Sequence, residues 1–425
     1  MTARRAPPDH HPRRRRLRGR GYFRRIGPGI VTGASDDDPS GIGTYSQVGA
    51  AFGLGLLWTA VVSLPLAAAV QETAARLGLS SGKGLAALIK ERFPRTVLLV
   101  AVSLVAVANT FNIGADIGAM AASLRLLVPA PQALMVVVFA VAIVSLEILF
   151  PYDRYARILR WLTVSLGAYL VVLLLVDVRW SEVVRATFLP KIQLDRPFLG
   201  ALVAIFGTTI SPYLFFWQTS EEVEEERERH ESTRVAARHL RSMRIDVIAG
   251  MASAVAVMFA IMVSSAATLG ASGVRTVETA SQAARALEPL AGSLASTVFA
   301  LGVIGTGALA VPVLAGSTAY ALSEAFGWRE GLARSFRAAP GFYGTIVVSA
   351  GVGMAMGFLG VDPIRSLYWA AILNGIAAPP LILLMLILSN SGRAVGRMQG
   401  GVVSDVLVGI ALLVMTAAPI AYLLS

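Results

Sequence analysis

Residues 33 to 41 read Gly33-Ala34-Ser35-Asp36-Asp37-Asp38-Pro39-Ser40-Gly41. Apolar Ile30 and Val31 precede this stretch and a mainly apolar run from Ile42 to Trp58 follows it, so three adjacent carboxylates and a proline interrupt a first membrane-spanning segment. A single carboxylate at bilayer depth costs about 2.5–3.5 kcal/mol on insertion scales, and such residues mark ion pathways or sites. Glycine and proline break the helix there and free backbone carbonyls that protein, water or an ion must satisfy. Together these features describe a cation site made from an unwound helix. The alternative is a loop between two short helices, with Asp36 and Asp37 capping the second. The segments flanking such a loop are too short to span alone.

Composition agrees. The chain has 425 residues, 55% of them hydrophobic and 15% charged, with a mean hydropathy of +0.67, which defines a polytopic membrane protein with no sizeable soluble domain. Cysteine is absent, which excludes disulfides, thiolate metal sites and cysteine catalysis. His10, His11, His230 and His239 all lie in charged segments, so a metal inside the bilayer must use oxygen or thioether ligands. The net charge of +11 does not indicate nucleic-acid binding, because the basic residues gather at membrane edges. Residues 1–25 hold ten arginines against one acid, Asp9. They read as a cytoplasmic tail that touches anionic lipid and, given its charge and prolines, is disordered.

About eleven apolar stretches follow, near 27–50, 53–77, 96–127, 132–150, 158–176, 198–217, 245–269, 291–325, 341–360, 366–389 and 402–424. With the N-terminus inside, the cytoplasmic connections collect Arg76, Lys83, Lys90, Arg92 and Arg95, then Arg154, Arg157 and Arg160, and finally Arg329, Arg334, Arg337, Arg393 and Arg397. The positive-inside rule thus supports eleven spans, a cytoplasmic N-terminus and an external C-terminus. Leu85, Leu88, Ile89 and Phe93 recur at helical spacing and predict a short amphipathic helix over 80–93 at the inner surface. The Glu- and Arg-rich segment 221–244 predicts a solvated cytoplasmic extension of a helix. One transporter domain covers 26–425: repeat one at about 27–176, repeat two at about 198–389, and an extra helix at 402–424.

Span six carries a second interruption, Phe206-Gly207-Thr208-Thr209-Ile210-Ser211-Pro212-Tyr213. Pro212 cannot donate to the carbonyl of Thr208, which leaves that oxygen free. Spans one and six each open a set of five segments, and broken helices in corresponding positions of two halves are the best sequence pointer to a transporter site. Asp38 would supply charge; carbonyls near Ser35 and Thr208, with the Ser211 hydroxyl, would supply neutral oxygens. Asp36 and Asp37 could take part through water. Asn109, Asn112 and Asp116 in span three, Thr306, Ser317 and Thr318 in span eight, and Asn374 in span ten could line the same cavity. Interhelical hydrogen bonding is the ordinary role of Asn and Thr in spans. A carboxylate in a span is costlier, so Asp116 reads either as a group backing the site or as a structural partner for polar backbone.

The stretches Gly27-Pro28-Gly29, Asp38-Pro39-Ser40-Gly41, Gly53 to Trp58 and Gln71-Glu72 to Gly78 resemble the start of the Nramp family of divalent-metal transporters. That family carries Asp-Pro-Gly-Asn in its first span and Met-Pro-His in its sixth. The resemblance implies an all-α, eleven-span transporter with the inverted five-plus-five repeat of the leucine transporter, broken helices one and six at Pro39 and Pro212, and alternating access. Asp38-Pro39 matches the metal-binding pair, but Gly41 stands in place of the asparagine and Ser211-Pro212-Tyr213 in place of Met-Pro-His. The loss of a soft thioether favours a hard cation, so the chain looks like the magnesium-associated branch. Magnesium keeps several of its waters and suits a site with fewer protein ligands. Tyr213 and Gln218 occupy the places of the family's span-six histidines, and span nine has no arginine, which argues for uptake without protons. An inside-negative potential of 100 mV favours a divalent ion by roughly 4.6 kcal/mol, twice the single-charge value.

The expectation is a secondary transporter of Mg2+, Mn2+ or both in the plasma (inner) membrane of a prokaryote, not an enzyme, with the metal as cargo and no resident cofactor. A proton-coupled Mn2+/Fe2+ symporter is the nearest alternative, and a cation channel the alternative of another class. An amino-acid carrier of the same fold would not place three aspartates beside a substrate carboxylate. An intramembrane aspartyl protease lacks a Gly-x-Gly-Asp partner for Tyr152-Asp153. Oligomeric state is not encoded in these patterns.

Overall fold

A computed structural model describes residues 32–33, 35–150, 166–229, 236–332, 334–395 and 398–425. The basic tail, Gly27-Pro28-Gly29, Tyr152-Asp153, Arg154, Arg157, Arg160, His230 and Arg397 lie outside the described residues. Every described regular element is a helix. Among the described residues, seven helices are long and apolar enough to cross a membrane. Span two (Trp58–Ser81) is long enough but carries Gln71, Glu72 and Arg76 in its C-terminal half. Span nine (Pro340–Met356) is shorter, and span one is described as the helix Pro39–Phe52 after its break.

Local chemistry sets several boundaries. Three helices start with Asp followed at once or one residue later by Pro: Asp38 accepts from Gly41 N, Asp195 from Phe198 N and Asp362 from Arg365 N. The side chain fills one orphan donor of the first turn, and proline's missing N–H costs nothing there. Spans two and eight (Ala295–Phe326) end on left-handed glycines, Gly82 (φ 64°) and Gly327 (φ 73°), a conformation that lacks the Cβ penalty. The connection 177–197 is not a plain link, because Trp180–Phe188 forms a helix.

Span six is the centre. It runs as Arg196–Thr209 and Pro212–Arg229, and its apolar stretch is wholly buried, against 28% for spans four (Gln132–Leu149) and eleven (Val402–Leu424). Its first half packs on span ten (Pro363–Ser389), its second on spans two and eight. The contact with span ten is backbone on backbone: a Cβ at Gly207 would lie 2.0 Å from Ala371 O and 2.4 Å from Gly375 N. No side chain there can move aside. Gly207→Ala is therefore expected to destabilise the protein by about 1–3 kcal/mol, read as a lower melting temperature in detergent. Gly344→Ala, where a Cβ meets nothing within 4 Å, is expected to cost nothing.

The end of the bundle that the loop charges assign to the cytoplasm departs from its sequence reading in three ways. Arg76 is not a loop residue; it is 1% exposed inside span two. The amphipathic helix is present as Leu85–Arg92, but Leu85, Leu88 and Ile89 are buried, and the helix packs on span eight. Glu324 of span eight caps it, with Oε2 accepting from Ala87 N at 2.9 Å, and also accepts from Ser220 Oγ at 3.1 Å. The acidic end of span six is not wholly solvated either, since Glu222 is buried and accepts from Gln218 Nε2 at 3.0 Å. The chain returns these residues to the bundle because spans two and eight and the helix Leu85–Arg92 lie against the second half of span six.

Candidate metal site at the two helix breaks

Residues 32–33 and 35–36 are helical, Asp37 bends and Asp38 opens the next helix in an extended conformation (φ −69°, ψ 170°). The interruption thus falls on the carboxylates. Span six breaks between Thr209 and Pro212, where Ile210 and Ser211 leave the helix. Ser35, Asp36, Asp37 and Asp38 are all buried, as are Thr208, Ser211 and Tyr213.

Asp38 is the node. Its Oδ1 accepts from Ser40 Oγ at 2.6 Å and Gly41 N at 2.8 Å; its Oδ2 accepts from Asn112 Nδ2 at 2.9 Å. Ser40 Oγ lies 3.3 Å from Thr208 Oγ1, and Tyr45 OH 3.1 Å from Thr209 Oγ1, so hydroxyls join the two breaks. The structure therefore brings Asp38, Gly41, Thr208 and Asn112 together. Ser40 and Tyr45 were missed by the sequence reading, although the Asp-x-Ser spacing of a helix cap signals the first.

The backbone oxygens are less free than Pro212 implies. Ser211 Oγ donates to Gly207 O and to Thr208 O, both at 2.8 Å, and Tyr213 OH donates to Ser35 O at 2.7 Å. A hydroxyl near the break is the nearest donor for a carbonyl that proline has orphaned. Each carbonyl keeps a second lone pair, and Ser211 Oγ keeps its acceptor capacity. Gln218 accepts from Thr32 Oγ1 below the site, which ties the first half of span one to the second half of span six.

Several groups stay unpaired. Asp36 Oδ1, Asn112 Oδ1, both oxygens of Asp116 and both amide atoms of Asn374 are buried without a hydrogen-bond partner among the described residues. Each such group costs about 1–3 kcal/mol, so their concentration beside two helix breaks calls for an occupant that accepts oxygen donors. Asn109, by contrast, is anchored through Nδ2 to Leu314 O and Thr318 Oγ1, and Ser317 Oγ donates to Tyr213 O. Those two serve helix packing. No cluster of three or more His, Asp or Glu side chains with metal-holding geometry occurs among the described residues; the break instead offers the Asp38 carboxylate with neutral oxygens beside it, and Asp36, Asp37 and Asp116 are buried nearby.

Two facing helix breaks around a buried carboxylate, inside a bundle of membrane-spanning helices, are the architecture of a membrane transporter. The chain belongs to the Natural resistance-associated macrophage protein-like (Nramp) family, whose pattern matches residues 29–425. It is similar to the divalent metal cation transporter MntH of Pectobacterium carotovorum, 28% identical over 292 residues, covering 66% of this chain and 68% of the relative. The MntH protein of Acidiphilium cryptum is 28% identical over 397 residues, covering 90% and 87%. Among solved structures, the manganese transporter of Eremococcus coleocola superposes with a TM-score of 0.74 at 19% identity, covering 93% of this chain and 85% of that one. Mhp1, a nucleobase-cation-symport-1 family transporter, gives 0.61 at 16% identity, covering 94% and 91%. The fold is thus the broken-helix transporter fold expected from the sequence.

Proposed function

We propose that this transporter carries a divalent metal cation by alternating access around Asp38, and that it favours a hard cation, Mg2+, without coupling to protons. The observation that carries the reading is the donor set at Asp38. The oxygens gathered there are the Asp38 carboxylate, the hydroxyls of Ser40 and Thr208 and the unpaired amide oxygen of Asn112, and Ser211 stands where the family places its thioether. Oxygen donors suit magnesium, calcium and manganese, and sulfur suits softer ions. The absence of histidine from span six supports the uncoupled reading. The N-terminus is placed in the cytoplasm, the C-terminus outside, and the chain in a bacterial plasma membrane, following the loop charges. The basic tail rests on anionic lipid.

A second reading, a proton-coupled manganese carrier, is favoured by the likeness to the manganese transporter of Eremococcus coleocola and by the unpaired carboxylate of Asp116. Uptake of Mg2+ and Mn2+ into proteoliposomes with a pH dye inside separates the two. Saturable magnesium uptake without acidification supports the first; manganese uptake with acidification and no magnesium transport establishes the second. Ser211→Met is expected to shift the ratio of Mn2+ to Mg2+ uptake toward manganese by about tenfold, the effect of roughly 1.4 kcal/mol.

A further inference from the structure

Position 41 lacks the amide that the family's motif places beside its aspartate. A Cβ there would meet Tyr45 Cε2 at 3.2 Å, Thr208 Oγ1 at 3.4 Å and Asp36 O at 3.5 Å. That position faces the junction of the two breaks, and the Tyr45 ring occupies its side of it. An amide nevertheless stands on Asp38, delivered from span three (Arg95–Leu124) by Asn112. From this we infer that Asn112 Oδ1 is a direct ligand of the transported cation, supplying from span three the neutral oxygen that Gly41 cannot.

The orientation of the amide carries the argument. An ionised carboxylate only accepts, so the group that faces Asp38 must be Nδ2, and Oδ1 points away from that bond. Oδ1 is then a buried carbonyl oxygen with no donor in reach. Asp38 Oδ1 is already engaged by Ser40 and Gly41, whereas Oδ2 has Asn112 alone. The least engaged carboxylate oxygen and the unpaired amide oxygen thus belong to hydrogen-bonded neighbours, and a small dication satisfies both. Asp116, one turn further along the same face, adds an unpaired carboxylate that favours positive charge on that wall. Asn109 also has an unpaired Oδ1, but its nitrogen is fixed on span eight, so only Asn112 combines the feature with contact to Asp38.

This inference rests on Asp38 being the metal-binding charge, and the test keeps the two apart. Calorimetric Kd values and proteoliposome KM values for Mg2+ and Mn2+ are measured on the full chain for Asn112→Ala, Asn112→Asp, Asn112→Ala combined with Gly41→Asn, and Asp38→Asn. Asn112→Ala is expected to weaken Kd and KM by about tenfold while the melting temperature stays near that of the parent. Asn112→Asp removes the N–H donor but keeps an oxygen, so a ligand role predicts retained binding. A role limited to positioning Asp38 predicts that the aspartate variant fails like the alanine one. Gly41→Asn, which asks the Tyr45 ring to yield by a few tenths of an ångström, is expected to restore binding to Asn112→Ala. An unchanged Kd in Asn112→Ala, or equal losses in the Ala and Asp variants, overturns the inference while leaving the Asp38 site intact. Wild-type binding by Asp38→Asn overturns the reading beneath it as well.

Discussion

Asp38→Asn is expected to lower divalent-cation uptake at least about 100-fold, a loss of roughly 2.7 kcal/mol of binding or transition-state free energy, with the fold unchanged. Asparagine caps a helix as well as aspartate does, so the Gly41 N bond survives, as does an oxygen for Ser40 Oγ. What is lost is the charge. At an effective dielectric of about 20, a unit charge and a divalent ion at 4 Å attract by roughly 8 kcal/mol, twice the monovalent figure, and most of that offsets the ion's dehydration. Asp38→Ala removes the cap too and adds about 1 kcal/mol of instability, which is why the amide variant is the cleaner probe. The measurement is initial uptake into proteoliposomes, with a melting curve of the same preparation. Uptake within threefold of wild type would assign the charge to Asp36 or Asp37, which are also buried in the same break.

That the break in span one is legible in the sequence follows from one physical fact: charge, proline and glycine do not occur together in a lipid-facing helix without a reason; singling out Asp38 from Asp36 and Asp37 rests on the match of Asp38-Pro39 to the family's motif. Pro212 was legible for the same cause, and with it the correspondence of spans one and six. Other features were hidden. A run of Asn109, Asn112 and Asp116 says that span three has a polar face but not which residue meets Asp38, because the rotation of one helix against another is a tertiary property. Arg76 looked like a cytoplasmic flank since positive charge near a span end ordinarily faces water. Its burial depends on Glu72 and on Met398, 322 residues away, which no local pattern reveals. The Ser211 hydroxyl was expected to serve the ion; its proton goes first to the carbonyls of its own broken turn, a local competition that residue type alone does not rank.

Glu72→Ala is expected to destabilise the protein by about 3–5 kcal/mol, the usual consequence of leaving one member of a buried ion pair behind. Glu72 serves two arginines: Oε2 faces Arg76 Nε at 3.4 Å and accepts from Ser404 Oγ at 3.2 Å, and Oε1 accepts from Arg244 Nε at 2.9 Å. Arg76 also donates to Met398 O and Thr73 Oγ1, but neither carries charge, so without Glu72 a buried guanidinium loses the carboxylate it pairs with. Arg244 is about half exposed and reaches water instead; Arg244→Ala is therefore expected to cost under about 1 kcal/mol. The asymmetry separates an electrostatic clamp from simple packing. If the carboxylate acts by neutralising Arg76, then Glu72→Leu combined with Arg76→Met removes the buried charge along with its partner and recovers most of the loss. If the single and double variants melt alike, packing of span two against the start of span eleven sets the stability of this end, and the ion pair is incidental to it.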